Sequence, residues 1–243
     1  MAHLQVALNG ARTDAEHPAI PRTPNELAVA ARAAVDAGAD VVHVHAFDAD
    51  GVETLAPEPC AEALRAIRAV CPGVPISLTT SAAVEPDVRR RFELVDAWTE
   101  LPELVTANQG EEGIVDLCSL LLARGVGIEA GLLELSDAEA FVRAGIADRC
   151  VRVMIEPLDG EVADALNHAA AMEAVVVAAG VTLEQVHHGE GLACWAVNER
   201  GLARGHGIRT GLEDTTVLPD GTLAPDNAAL VRAAVAMFRG ERG

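Results

Sequence analysis

The chain contains no lysine, because all 18 of its Lys and Arg residues are arginine. This absence excludes Schiff-base catalysis, a covalently held pyridoxal cofactor and a phosphate-binding P-loop lysine. If the protein acts on carbonyl compounds, it must polarise them with a metal ion or with hydrogen bonds.

Aromatic residues and net positive charge are also scarce. The chain has four Phe, two Trp and no Tyr, so aliphatic side chains and Ala must fill its core. The formal net charge of −19 offers no sustained basic surface for displacing phosphate counterions. We therefore expect no nucleic-acid partner.

Targeting and redox signals point to the cytoplasm. The first residues read as a short apolar strand rather than as a charged segment followed by a long apolar one, so we expect neither a signal peptide nor a membrane span. The five cysteines are scattered and form no Cys-x-x-Cys pair, as expected in a reducing compartment. These features predict a cytoplasmic protein.

Short β-rich runs alternate regularly with longer helical segments rich in Ala, Leu and Arg. The pattern predicts strands near 4–9, 39–46, 74–80, 103–108, 126–132, 150–156, 184–188 and 207–213. It predicts helices near 24–37, 58–71, 85–96, 112–124, 136–145, 162–179, 190–203 and 226–239. Such alternation implies parallel strands with helical crossovers, and no Gly-x-Gly-x-x-Gly follows the first strand. We therefore predict an α/β fold of the TIM (β/α)8 barrel type, with residues 1–243 forming a single domain.

Two histidines separated by one residue are the most informative motif. In a strand, His43 and His45 point to the same side, because alternate side chains share a face. Two converging imidazoles at a strand end suit a borderline metal ion such as Zn²⁺. The alternative is a pair of hydrogen-bonded interior histidines.

Polar residues gather where the predicted strands end, which is where barrel enzymes place their chemistry. The candidates for substrate binding are Thr80, Ser81, Thr106, Asn108 and Glu129. Glu129 lies within its strand and could instead support other site residues. Glu156 and the adjacent pair His187 and His188 also lie at strand ends, and one of that pair is expected to face away.

A third metal ligand is predicted at the end of the eighth strand. Arg209, Gly211 and Glu213 would share one strand face, and only the first strand separates the eighth from the second in a closed barrel. Two histidines and one glutamate leave a coordination position of Zn²⁺ open, as catalytic sites require. The alternative is that Glu213 is a solvated loop carboxylate.

The chain resembles the beta-keto acid cleavage enzyme family, which includes the 3-keto-5-aminohexanoate cleavage enzymes. The resemblance extends over nearly the whole sequence. Its segments are Leu8-Asn-Gly-Ala11, Pro21-Arg-Thr-Pro-Asn-Glu26, Ala37-Gly-Ala39, His43-Val-His45, Pro102-Glu-Leu-Val-Thr-Ala-Asn108, Ile208-Arg-Thr-Gly-Leu-Glu-Asp214 and Asn227-Ala-Ala-Leu-Val231.

The resemblance implies a zinc-dependent barrel enzyme that acts on small molecules. It implies that a beta-keto acid exchanges groups with acetyl-CoA or a similar CoA thioester, releasing acetoacetate and a new acyl-CoA. By matching position, His43, His45 and Glu213 would hold zinc. Asp214 would be the base, Arg209 its partner and Thr79 a hydroxyl near the substrate carboxylate, and Thr106 matches a threonine of the family site. A homo-oligomer is also implied.

Two departures from the family pattern bear on the substrate. The Ser-Thr-Gly-Gly segment of the family appears here as Thr79-Thr-Ser-Ala82, and Arg12 stands where a glutamate is often found. A cation at Arg12 would favour acidic or neutral side groups over amino-bearing ones. Other metal-dependent lyase or hydrolase reactions, and a non-catalytic metal-binding barrel, remain alternatives.

Overall fold

The computed structural model describes residues 3–240, which form one closed barrel of eight parallel strands in chain order. The strands are β1 (Leu4–Ala7), β2 (Val41–Val44), β3 (Ile76–Thr79), β4 (Leu104–Asn108), β5 (Gly127–Leu132), β6 (Arg152–Ile155), β7 (Glu184–His187) and β8 (Gly207–Thr210). Strand β1 pairs with both β2 and β8, which closes the barrel. The predicted TIM (β/α)8 fold is confirmed. Residues 1–2 and 241–243 of the predicted domain lie outside the described residues.

Each strand is followed by a helix. The helices are α1 (Pro24–Ala37), α2 (Pro57–Val70), α3 (Val88–Asp96), α4 (Ile114–Ala123), α5 (Leu135–Ala144), α6 (Val162–Ala178), α7 (Ala193–Ala203) and α8 (Asn227–Phe238), with a 3₁₀ turn at Ala147–Arg149. Between residues 3 and 240, no helix combines the length and the apolar composition needed to cross a membrane.

Helix α1 shows how the sequence fixes an element boundary. The Thr23 side chain accepts a hydrogen bond from the Glu26 amide, and the Glu26 carboxylate accepts one from the Thr23 amide at 2.9 Å. This capping box satisfies amide groups that the first helical turn leaves without partners. Gly38 ends the helix with a φ of 119°, a conformation that favours glycine.

The apolar core lies between the strands and the helices, and the barrel interior is partly polar. Outward-facing residues such as Val6, Val42 and Val105 are buried against the helical layer. Inside the barrel, Gln5 donates hydrogen bonds to Glu129, whose side chain is fully buried. This polar layer supports the residues above it, at the carboxyl ends of the strands.

The eighth strand is shorter than predicted, and this changes how Glu213 reaches the site. Strand β8 ends at Thr210, and Gly211 has a φ of 157°. A Cβ atom on Gly211 would lie 1.9 Å from the Ala7 carbonyl oxygen, so the two backbones approach too closely for a side chain. The prediction that Glu213 lies on a strand face with Arg209 is wrong. Glu213 belongs to the turn that follows, where the amide of Asp214 donates to the Gly211 carbonyl.

Candidate active site at the carboxyl ends of the strands

Three potential metal ligands converge at the mouth of the barrel. The Nε2 atoms of His43 and His45 lie 3.2 Å apart, and each lies 3.6 Å from Oε2 of Glu213. His43 is contributed by β2, His45 follows directly after it, and Glu213 comes from the turn after β8. The closure of the barrel thus brings together residues from opposite ends of the sequence.

Both imidazoles are oriented through their other ring nitrogen. Nδ1 of His45 contacts the carboxylate of Glu53, which lies in the loop after β2. Nδ1 of His43 lies 3.2 Å from Oγ of Ser77, and Ser77 in turn donates a hydrogen bond to Glu129. Such outer partners fix the ring orientation and tautomer of histidines that bind metals. The Nε2 atoms are thereby left facing each other and Glu213.

The three donor atoms fit a divalent metal ion. A tetrahedral Zn²⁺ ion with bonds of about 2.0–2.1 Å separates its ligand atoms by roughly 3.4 Å, close to the separations found here. Oε2 of Glu213 is buried and accepts no hydrogen bond from the described part of the chain. A buried oxygen of this kind is unfavourable without a partner, and a cation among the three donors would supply one. These residues could therefore hold a metal ion.

A second cluster of residues that could bind a metal contains a carboxylate that is already paired with cations. Glu173, His187 and His206 also offer donor atoms within 4.8 Å of one another. The carboxylate of Glu173, however, accepts hydrogen bonds from the guanidinium groups of Arg200 and Arg204. Because these cations occupy the carboxylate, we assign this cluster a structural role.

Arg209 joins the candidate metal ligands to Asp214. Its Nη2 lies 2.7 Å from Oδ1 of Asp214 and 3.0 Å from Oε1 of Glu213, while its Nε donates to Oδ2 of Asp214 at 3.2 Å. The guanidinium therefore donates hydrogen bonds to both oxygens of Asp214. Such a bidentate, charge-assisted contact fixes the orientation of the carboxylate. Asp214 is 4% exposed and lines the same cavity as the histidines.

Burial and neighbouring charges shift the pKa values of these groups in opposite directions. Burial raises the pKa of Asp214 above its ordinary value, although Arg209 opposes the shift. Burial would also raise the pKa of Glu213, but Arg209 and the two histidines outweigh it and hold that pKa well below the usual range. Burial lowers the pKa of His43, whereas the carboxylates of Glu213 and Glu53 overcome burial at His45 and raise its pKa to about 9. Two neighbouring carboxyl groups thus have pKa values shifted in opposite directions, as in acid–base sites.

Hydroxyl and amide groups from β3 and β4 complete one side of the site. Thr79, Ser81, Thr106 and Asn108 all line the cavity. Oγ1 of Thr79 accepts a hydrogen bond from the Ser81 amide at 3.2 Å, which positions the hydroxyl. Glu111 connects the segment after β3 with the end of β4. Its carboxylate accepts hydrogen bonds from the Ala82 amide at 2.8 Å and from Nδ2 of Asn108 at 3.1 Å. No sequence pattern marks Glu111, because its role depends on loop conformation.

Two candidate substrate-binding residues lie away from the cavity wall. The Thr80 hydroxyl is fully buried and donates to the Thr106 carbonyl at 2.8 Å. Glu129 lies beneath the site and accepts hydrogen bonds from Gln5, Ser77 and Thr106. Glu129 therefore supports His43 and Thr106 from below. This position agrees with the interpretation that it supports other site residues and not with direct substrate binding. The pattern missed Ser77, although its period-two spacing with Thr79 puts both on the inner face of β3.

The adjacent histidines at the end of β7, His187 within the strand and His188 directly after it, face opposite ways, as expected. His188 lines the cavity, with Nε2 at 2.7 Å from Oε2 of Glu156 and Nδ1 at 3.5 Å from Oδ1 of Asp214. His187 points outward, and its Nε2 contacts Oε1 of Gln185 at 3.1 Å. The positions of Glu156 and His188 at strand ends make each a candidate site residue, but the sequence does not predict that they contact each other.

Arg12 does not line the cavity. Its Nε donates to the Glu213 carbonyl at 3.0 Å, and its Nη atoms lie 3.5 Å from Glu16 and 3.7 Å from Glu190. The guanidinium therefore braces the turn that carries Glu213 and is balanced by two carboxylates. The preference for acidic or neutral side groups over amino-bearing ones stays a prediction.

The site is a cavity of about 220 Å³ at the carboxyl-terminal mouth of the barrel. The apolar residues Leu133, Pro157 and Leu158 also line this cavity. This small polar pocket contains a buried guanidinium, paired carboxylates and three potential metal ligands. Such an arrangement is typical of the active site of a barrel enzyme.

Comparison with known proteins identifies the family. A sequence model described as "beta-keto acid cleavage enzyme" matches residues 2–241. The chain is 28% identical over 244 residues to the 3-oxoadipate:acetyl-CoA acetyltransferase of Cupriavidus necator, covering 91% of this chain and 82% of that protein. It is also 28% identical over 262 residues to the 3-keto-5-aminohexanoate cleavage enzyme of Fusobacterium nucleatum, covering 97% and 90%. The chain therefore belongs to the beta-keto acid cleavage enzyme family, which confirms the resemblance and the prediction of an enzyme.

Solved structures support the fold. A ternary complex of ObcA with a C4-CoA adduct and oxalate superposes with a TM-score of 0.75 at 16% identity. That match covers 92% of this chain but 64% of the ObcA chain, so this chain spans less than two thirds of its length. The 3-dehydroquinate dehydratase of Geobacillus kaustophilus gives a TM-score of 0.62 at 14% identity, with 99% and 92% covered.

Proposed function

We propose that this protein is a zinc-dependent beta-keto acid cleavage enzyme that exchanges groups between a beta-keto acid and acetyl-CoA, or a similar CoA thioester. The products would be acetoacetate and a new acyl-CoA. The observation that carries the proposal is the convergence of His43, His45 and Glu213 beside an Asp214 held by Arg209. The names of two relatives, an acetyl-CoA acetyltransferase and a keto acid cleavage enzyme, support the same reaction class.

His43, His45 and Glu213 would hold the metal, leaving a coordination position open. A bound Zn²⁺ ion would polarise the keto oxygen and stabilise the negative charge that develops when the neighbouring carbon loses a proton. Asp214 would remove that proton, because it lines the cavity and burial raises its pKa towards the working range of a general base. Arg209 would fix the angle of the carboxylate. The hydroxyls of Thr79 and Thr106 would orient the substrate.

The proposed exchange needs no reactant beyond the keto acid and the CoA thioester. The carbon that Asp214 deprotonates would attack the acetyl carbonyl of acetyl-CoA, forming a carbon–carbon bond and expelling the CoA thiolate. The thiolate would attack the original keto carbonyl, and cleavage of the older carbon–carbon bond would release the new acyl-CoA. Asp214 would return its proton to the leaving carbon, which gives acetoacetate.

The test measures metal content and acetoacetate formation in purified protein. We expect about one zinc ion per chain, and His43→Ala should abolish both the metal and the exchange. His168→Ala is a matched control, because His168 is exposed and pairs with Asp159 outside the site. Full exchange activity in metal-free protein would refute the proposal. Turnover of the keto acid without a CoA ester would indicate another metal-assisted lyase or hydrolase reaction instead.

A homo-oligomeric state and a cytoplasmic location stay predictions. The first follows from the family resemblance and the second from the scattered cysteines, all five of which are buried free thiols. Sedimentation analysis of the purified protein would measure the oligomeric state, and fractionation of cells would measure the location.

A further inference from the structure

Helix α3 carries three consecutive arginines, and the third of them is buried. The Arg89 side chain is 89% exposed and Arg90 is also exposed, whereas Arg91 is 1% exposed. Nη1 of Arg91 donates to Oε2 of Glu111 at 2.9 Å, and its Nη2 donates to the Glu112 carbonyl. Apolar side chains in place of a buried ion pair often stabilise a fold equally well. The pair is therefore better explained by what the Glu111 carboxylate holds.

The other oxygen of Glu111 gathers three donors from two segments of the cavity wall. Oε1 accepts hydrogen bonds from the Ser81 hydroxyl at 3.3 Å, from the Ala82 amide at 2.8 Å and from Nδ2 of Asn108 at 3.1 Å. Ser81 and Asn108 line the cavity, but Glu111 stands behind them. One carboxylate thus joins the segment after β3 and the end of β4 to a guanidinium on α3.

The same contacts reach the Thr79 hydroxyl through Ser81. Oγ1 of Thr79 accepts a hydrogen bond from the Ser81 amide at 3.2 Å, and Thr79 lines the cavity. Because a hydroxyl group both accepts and donates, its own proton stays available for a ligand in the cavity. A shift of the Ser81 backbone would turn this hydroxyl. Glu111 therefore controls the direction of a donor that the proposed reaction uses to orient the keto acid.

The residues that Glu111 holds are those at which the chain departs from the family pattern. The Ser-Thr-Gly-Gly segment of the family is Thr79–Ala82 here, so Ser81 and Ala82 stand in place of two glycines. Glycine has no side-chain donor, whereas the Ser81 hydroxyl donates to Glu111. Residues with a side chain also have fewer backbone conformations than glycine. The substitutions and the carboxylate together fix a segment that two glycines would leave freer.

We propose that the Arg91–Glu111 pair positions the side chains that bind the keto acid. It holds Thr79, Ser81 and Asn108 in place, so both members are positioning residues rather than catalytic residues. This inference rests on the proposed function and deepens it. Contacts to a part of the keto acid that does not react are made equally in the ground state and the transition state. Their loss therefore raises KM and leaves kcat nearly unchanged.

The experiment uses acetoacetate as the probe, because it is itself a beta-keto acid. With acetyl-CoA labelled in its acetyl group, the proposed reaction moves the label into acetoacetate, and initial rates give kcat and KM. Calorimetry measures the binding of acetoacetate without CoA. We expect Arg91→Met to raise KM and Kd for acetoacetate by at least about tenfold, the effect of losing a hydrogen bond to a charged group. Both kcat and the metal content should stay near the wild-type values.

A double variant separates positioning from stability. Arg91→Met leaves the Glu111 carboxylate buried without its cation, so it should also destabilise the fold. Arg91→Met combined with Glu111→Leu removes both charges and should recover stability, but Ser81, Ala82 and Asn108 still lack their acceptor. The double variant should therefore keep the raised KM. If Arg91→Met fails to fold, the double variant still decides.

Arg89→Met is the matched control, because it makes the same change on the exposed face of the same helix. It should keep the wild-type KM and Kd. A loss of folded protein alone would lower the apparent kcat and leave KM unchanged.

The outcomes separate the two proposals. A wild-type KM in the double variant overturns the positioning role, while exchange itself still stands. Weakened binding of acetoacetate in both Arg91 variants, without label exchange by any of the proteins, supports the positioning role and overturns the proposed function. If the wild-type protein does not bind acetoacetate, both proposals are overturned.

Discussion

Arg209 holds Asp214 by both carboxylate oxygens, with Nη2 at 2.7 Å from Oδ1 and Nε at 3.2 Å from Oδ2. Both side chains are nearly excluded from solvent. The pair fixes the direction in which the proposed base faces, and it does so with a group that lysine cannot imitate, since an ammonium has no planar fork.

Arg209→Lys should therefore lower kcat by about 100-fold, because a small misplacement of a catalytic group has an effect of that order. The metal content should stay near that of the wild type, since all three proposed ligands remain. Steady-state kinetics and metal analysis check both statements. Arg89→Lys, on an exposed face of α3, is the control. Wild-type kcat in Arg209→Lys would contradict the role given to the fork.

Glu53→Gln should weaken metal binding without removing a ligand. Glu53 contacts Nδ1 of His45, and loss of such an outer carboxylate typically lowers metal affinity by about 10- to 100-fold. Competition with a chromophoric chelator measures the change. Asp159→Asn alters a comparable carboxylate–histidine contact at exposed His168 and should leave the affinity unchanged. Equal affinities in all three proteins would argue against the orienting role.

Gly211→Ala should disrupt the turn that carries Glu213. The positive φ and the clash with the Ala7 carbonyl together predict a loss of more than about 2 kcal/mol in the free energy of unfolding. Denaturant unfolding measures the loss. Gly160→Ala serves as the control, because a Cβ atom there meets nothing within 4 Å. A stable Gly211→Ala protein with normal metal content would show that the turn tolerates a side chain.

The Glu173 cluster predicts a pH-dependent contribution to stability. Burial would raise the pKa of Glu173, but hydrogen bonds from Arg204, Arg200 and His206 outweigh it and lower the pKa to about 2. Since the folded pKa is below the ordinary value of 4.5, the stabilisation is complete above that value and is lost as the pH falls towards 2.

Glu173→Gln should thus destabilise the protein by about 2–4 kcal/mol at neutral pH, because Arg200 loses its buried partner. The difference from the wild type should begin to shrink once the pH falls below 4.5. Unfolding curves at several pH values test this, with Glu139→Gln as a control on an exposed helix face. A difference that grows on acidification would contradict a lowered pKa for Glu173.

The fold and the convergence of the two histidines could be predicted, because both depend on local periodicity. Alternation of strands and helices sets the barrel, and the period of two places His43 and His45 side by side. Glu213 was placed near them through strand order, although Gly211 turns the chain earlier than a strand pattern implies. Close backbone approach of this kind leaves no periodic trace in a sequence.

Contacts of long side chains and loops could not be predicted. Arg12 can reach several carboxylates and carbonyls, and only the folded turn decides that it binds the Glu213 carbonyl. Glu53 lies eight positions after His45 in a loop, where no regular spacing applies. The approach of Asn108 and Glu156 to Gly131 involves three neighbouring strands, and only their register brings those side chains together.

Different strands of the same barrel supply different parts of the cavity lining. The groups proposed for bond making come from β2, β8 and the turn after β8, whereas the wall formed by Asn108 and Glu156 comes from β4 and from the residue that follows β6. Because each strand carries its own loop, exchanging residues on one half leaves the backbone of the other half in place. Descendants of such a barrel can come to accept new compounds by replacing a few wall residues while inheriting their reaction intact.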